Sequence, residues 1–233
     1  MKPKCVLFSI NDTLYDSSLQ MNTARMNAIR AMIETGLPID IETTYRVLQD
    51  IVNEYGPDYP KHFDELLKRL GLRWEPRVIA SGVIAYRETS SAYLKPYPDT
   101  VSTLLKLRDL GYKLGVVSGG IAVKQWQKLV QLGVQHVFNF VIVSEELGIQ
   151  TLDPSVFNFA LERLAVQPEE TIFVGSRLEP EIMCANRVGI ITVRIRKGEH
   201  RLETPEKPES KPNYEINTLS ETFDVIRKIQ GEE

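Results

Sequence analysis

The stretch Cys5-Val6-Leu7-Phe8-Ser9-Ile10-Asn11-Asp12-Thr13 decides how the rest of the chain is read. An apolar run with a β-branched and an aromatic residue passes directly into a polar group, the pattern of a buried strand opening into a loop. Downstream, residues 15–94 contain no convincing strand. Met21, Ala24, Ile29 and Met32 form a helical stripe that stops near Gly36 and Pro38. Residues 43–55, 62–70 and 78–93 read as three further helices.

The pattern changes at Pro96 and Pro98. Helices at 100–110, 123–132, 154–164 and 180–188 alternate with short apolar strands at 113–117, 138–143, 171–174 and 191–195. Such alternation implies βαβ units and a parallel sheet with helices on both faces. Residues 196–212, rich in charge and carrying Pro205, Pro208 and Pro212, read as an exposed connection before a last strand at 214–216 and a last helix at 220–229. The expected fold is α/β. A core domain is built from residues 1–14 and 96–233, and an all-helical domain, residues 15–95, is inserted after the first strand. Ligands of such sheets bind beyond the carboxyl ends of the strands.

Composition narrows the function classes. The 233 residues are 42% hydrophobic and 25% charged, with a net charge of −3, which argues against nucleic acid as a partner. Glu199, Glu203, Glu206 and Glu209 offset the bases of the 196–212 segment. No apolar run approaches the ~20 residues that span a bilayer. Met1 to Phe8 is too short, and too interrupted by Lys2 and Lys4, to serve as a leader. Cys5 and Cys184 read as buried thiols in a reducing compartment, so the expected location is cytoplasmic. Nothing in the sequence specifies an oligomeric state. His62, His136 and His200 form no recognisable metal cluster, and Glu145 and Glu146 read as solvated charges.

Four loci fall at strand ends: Ser9 to Thr13, Ser118-Gly119-Gly120, Gly148 to Pro154, and Gly175 to Glu181. In this order, with a helical insert after the first, they resemble the haloacid dehalogenase (HAD) superfamily, subfamily I, over nearly the whole chain. The runs Arg25 to Arg30 and Val123-Lys124-Gln125-Trp126 are similar to archaeal small-molecule phosphatase and dehalogenase-like members. The resemblance implies a Rossmann-like core with a helical cap. It also implies a covalent phosphoryl intermediate on a carboxylate, a second carboxylate for proton transfer, a phosphoryl-binding Ser or Thr, a charge-balancing Lys, and acids that hold Mg²⁺.

Matched to those motifs, Ser9 stands at the nucleophile position, Asn11 at the acid/base position and Thr151 at the Lys position. Thr13, Ser118 and Gly119 fall at substrate-binding positions, and Ser176 and Glu181 on the metal side. Serine needs a base to attack, and Asn11 has no proton to exchange. Mg²⁺ prefers carboxylate oxygens, and Glu181 is the one carboxylate of the set. Asp12 and Asp153 sit beside these positions without replacing them. The combined substitutions predict a non-catalytic member used for binding, regulation or assembly, holding at most a small anionic or phosphorylated ligand and no cofactor. The alternative is a Mg²⁺-dependent hydrolase of a small phosphorylated metabolite.

Overall fold

A computed structural model describes residues 2–231. These divide into two compact units, residues 2–18 with 94–231, and residues 19–93.

The first unit is built on a six-stranded, all-parallel sheet of order β3-β2-β1-β4-β5-β6. Its strands are β1 (Cys5–Phe8), β2 (Lys113–Ser118), β3 (Phe140–Val143), β4 (Thr171–Gly175), β5 (Ile191–Ile195) and β6 (Tyr214–Ile216). All four residues of β1 are buried because both faces of the sheet are covered. Val6 and Phe8 join one core with Leu104, Leu107, Leu129, Val225 and Ile226. Cys5 and Leu7 join the other with Val156, Phe157, Ala160, Leu161 and Ala185. This is the two-residue strand period resolved into two layers.

The helices of this unit are α5 (Thr100–Asp109), α6 (Ala122–Gln131), α7 (Pro154–Leu164), α8 (Met183–Val188) and α9 (Thr222–Gln230). By the residues they give to each core, α5, α6 and α9 cover the first face, while α7 and α8 cover the second. Fully burying a side chain such as Phe8 or Leu104 contributes roughly 1.5–3 kcal/mol.

The register brings the loci together. Phe8 lies opposite Val116 on one side and Val174 on the other. Ser9, Ser118 and Ser176 therefore emerge within two residues of one level, at the carboxyl edge. The strand order reverses beside β1, which is where open sheets of this order bind ligands.

The second unit contains α2 (Ile41–Tyr55), α3 (His62–Arg69), α4 (Pro76–Tyr93) and most of α1 (Ser17–Glu34). It has its own core, including Ile29, Met32, Leu48, Ile51, Leu66, Leu67 and Val78. Asp40 caps α2 by accepting from the Thr43 amide at 2.8 Å. Gly82 lets α4 close on α1, since a Cβ there would lie 2.8 Å from Met32 Sδ.

Two local expectations are corrected, and a third is sharpened. The third strand starts at Phe140 rather than 138, because the Asn139 side chain accepts the Leu114 amide at 2.7 Å and takes over the pairing. The helix expected over 180–188 is an irregular turn, Leu178–Ile182, followed by α8. The reason is that the Glu181 carboxylate folds back onto the amides of Ser176 and Arg177. The 196–212 connection is exposed along most of its length but anchored: the buried Arg194 guanidinium donates to Glu203 O at 2.7 Å and His200 O at 2.6 Å. No helix among the described residues is long and apolar enough to cross a membrane.

Candidate active site

β1 delivers Ser9 to the carboxyl edge, where its hydroxyl is almost completely buried and lies 2.6 Å from Thr13 Oγ1. Glu181 arrives from the loop after β4, near enough for the Ser9 hydroxyl to lower its pKa slightly. Thr13 is buried, with its hydroxyl engaged by Ser9. Glu181 Oε2 also accepts the amides of Ser176 at 3.0 Å and Arg177 at 3.1 Å. Burial raises the Glu181 pKa above the ordinary carboxylate value; the Arg177 and Ser176 interactions and the Ser9 hydroxyl oppose that rise. Gly175 is required beneath it: a Cβ there would lie 2.8 Å from Glu181 Oε2 and 2.7 Å from Phe173 Cε1.

Asn11 is half-buried beside these residues. Its Oδ1 accepts from Tyr15 Oη at 3.2 Å and from Lys128 Nζ at 2.8 Å, and its carbonyl accepts the Ser176 hydroxyl at 3.1 Å. Lys128 comes from α6 and also donates to Gln125 Oε1 at 3.2 Å. Gln125 is buried and donates in turn to Gly119 O at 3.0 Å, tying the second locus to the first. The Ser118 hydroxyl donates to Gly119 O at 3.3 Å. Thr151 is exposed, but the next residue abuts the second locus, since a Cβ on Gly119 would sit 3.4 Å from Leu152 N.

The neighbouring acids have structural work. Asp12, in the left-handed region at φ 52°, is buried and accepts from Ser18 N at 2.9 Å and Ser18 Oγ at 2.8 Å. Asp153 caps α7, accepting from Ser155 N at 2.8 Å, and that bond lowers its pKa. Glu145 is exposed as expected, yet it accepts the Ala122 amide at 2.7 Å and so caps α6. Sequence reasoning passed over Lys128 and used Gln125 only for the family resemblance, giving it no role in the site. The available signal was their i, i+3 spacing on the helix that follows the second locus.

The donors do not fit a family-type Mg²⁺ site. Glu181 is the one carboxylate at the aligned positions, and its Oε2 already accepts two amides. Asn11 Oδ1 accepts an ammonium. No group of three or more His, Cys, Asp or Glu suited to a metal ion occurs among the described residues.

Residues 3–189 match the family model of haloacid dehalogenase-like hydrolases. A protein of Methanopyrus kandleri named glyceraldehyde 3-phosphate phosphatase is 50% identical over 228 residues, covering 97% of this chain and 98% of its own. A protein of the same name from Methanocaldococcus jannaschii is 40% identical, with the same coverage. Among solved structures, a HAD phosphatase from Thermococcus onnurineus superposes with a TM-score of 0.65 at 28% identity, covering 100% of this chain and 99% of that one. Phosphatases of this family generally use Mg²⁺. These relatives overturn the expectation of a non-catalytic binding or regulatory protein. Position-by-position matching also left out a charge that the fold supplies from elsewhere: Lys128 brings a cation to Asn11, on the strand edge to which Glu181 brings a carboxylate. The chain belongs to the haloacid dehalogenase-like hydrolase family.

Proposed function

We propose that this protein hydrolyses a phosphoric monoester of a small metabolite, with a three-carbon sugar phosphate as the first substrate class to test. The observation that carries the reading is the buried Ser9 hydroxyl at the carboxyl end of the central strand, with the buried Glu181 carboxylate held beside it on the amides of Ser176 and Arg177. The names of the relatives from Methanopyrus kandleri and Methanocaldococcus jannaschii support the substrate class.

In this reading Ser9 Oγ attacks phosphorus and its proton passes to Glu181. The P–O bond to the alcohol breaks, and the alkoxide takes a proton from water. Water then attacks the phosphoserine and releases a proton to solvent, while Ser9 regains its own from Glu181. The balance is ester plus water giving alcohol plus inorganic phosphate. The raised pKa makes Glu181 a stronger base than an exposed carboxylate. Asn11 contributes a neutral acceptor that orients Lys128 and Tyr15. Ser118 and Gly119 line the same strand edge. No step is routed through a metal, because the side chains present do not make the family's site.

We assign substrate choice to the helical unit inserted after the first locus, in the role of a cap. The buried, unpaired thiols of Cys5 and Cys184 support a reducing, cytoplasmic setting. Release of inorganic phosphate from glyceraldehyde 3-phosphate and from an aryl phosphate, measured with Mg²⁺ and with chelator, tests the proposal. Absence of release from both substrates under both conditions refutes it.

A further inference from the structure

The position expected to carry the charge-balancing lysine is Thr151, a neutral and exposed residue. A phosphoryl dianion held beside the Glu181 carboxylate needs a cation, because like charges in a partly dehydrated pocket repel strongly. The geometry points to Lys128. Its ammonium lies 2.8 Å from Asn11 Oδ1, and Asn11 is two residues from Ser9. Lys128 is half-buried on the face of α6 turned to the sheet edge, one residue before the core leucine Leu129.

Its direction is set by neighbours. Gln125 accepts from the ammonium through Oε1 and donates to Gly119 O through Nε2, and only 6% of Gln125 is exposed. Gly120 closes against the same amide: it has φ +98°, and a Cβ there would lie 3.1 Å from Gln125 Nε2. Glu145 holds the first turn of α6 by accepting the Ala122 amide. The helix, the glutamine bridge and the asparagine together aim a cation at the strand end that carries Ser9.

We infer that Lys128 is the phosphoryl-binding cation of this site, supplied from the helix after the second locus in place of a lysine at position 151, with Gln125 as its positioning residue. This rests on the proposed hydrolase reading for the identity of the ligand but not for its test. An ammonium on a phosphate oxygen is a charge-assisted hydrogen bond, and its loss weakens binding about 10- to 100-fold.

The experiment is calorimetric titration of inorganic phosphate into the wild type, Lys128→Met, Lys128→Arg, and Lys128→Met combined with Thr151→Lys, with steady-state hydrolysis run in parallel. Lys128→Met is expected to weaken phosphate binding and raise KM by that factor. Lys128→Arg should recover part of the binding, and the relocated lysine should recover part as well. Circular dichroism of each variant checks that it is folded, and Lys128→Arg keeps the test open if Lys128→Met is not. Unchanged phosphate affinity in a folded Lys128→Met, or no phosphate binding by the wild type, overturns the inference. If the wild type binds phosphate through Lys128 but releases none from any monoester, the hydrolase reading fails while the cation assignment stands.

Discussion

Replacing Ser9 by alanine separates chemistry from architecture. The hydroxyl is almost fully buried, 2.6 Å from Thr13 Oγ1, and near the Glu181 carboxylate. Truncation leaves the buried Thr13 hydroxyl short of a bond in a dry setting, a cost of about 1–3 kcal/mol. For a chain of this size each kcal/mol shifts the melting temperature by roughly 2–4 °C. The rate effect is far larger if Ser9 is the nucleophile: kcat should fall at least about a thousandfold. Thr13→Val is the matched control. It removes the hydroxyl that shares this bond with Ser9, so its stability loss is similar, but it keeps the nucleophile. Urea unfolding gives the stabilities, and phosphate release under saturating substrate gives kcat. A Ser9→Ala protein that retains more than about a tenth of the wild-type kcat refutes serine attack. Equal kcat losses in the two variants would reduce the role of Ser9 to support of the loop.

Glu181→Gln carries a signed pH dependence. The folded-state pKa is raised by burial, so the stability linked to this carboxyl is full below the usual 4.5 and is lost as pH rises through the folded value. The variant should therefore gain stability over the wild type at neutral pH, with the gain shrinking toward pH 4.5, while turnover falls; denaturation midpoints at several pH values and a rate assay check both. Gly198→Ala should destabilise by about 2–5 kcal/mol in urea titration, because φ 67° and ψ −159° suit only glycine and the new Cβ would meet Asp12 Oδ2 at 2.2 Å. A loss under about 1 kcal/mol would mean that the Asp12 loop yields easily. Gly175→Ala drives a Cβ onto Glu181 Oε2 and the Phe173 ring, so it should cost about 1–3 kcal/mol and lower kcat by displacing the base. Wild-type kcat in this variant would argue against a fixed role for Glu181.

Local pattern carried most of the architecture. The apolar runs at Cys5–Phe8 and Ile191–Ile195 mark strands because a sheet covered on both faces demands unbroken hydrophobicity. Pro154 and Leu164 bound α7 because proline suits a first helical turn and Asp153 supplies the cap. The alternation of strands and helices then implied a parallel sheet, and the strand-end loci followed from it. Periodicity has a reach of a few residues, so the chemistry was less legible. Ser9 and Glu181 meet through β1 and β4, and Lys128 reaches Asn11 across 117 positions. Motif matching could see that residues 9, 11, 151 and 176 lack the family's side chains. It could not see which other residues occupy the same space.

The sequence alone determined that a strand ends at Phe8, that Ser9 to Thr13 form a loop at the carboxyl edge of the sheet, and that helices cover the sheet. Those properties depend on side-chain polarity and short-range backbone preference. Tertiary structure decided that Ser9 has a carboxylate near it, that Asp12 anchors the loop, and that the nearby cation comes from α6. Each of those outcomes depends on sheet register and helix placement, which bring together residues far apart along the chain.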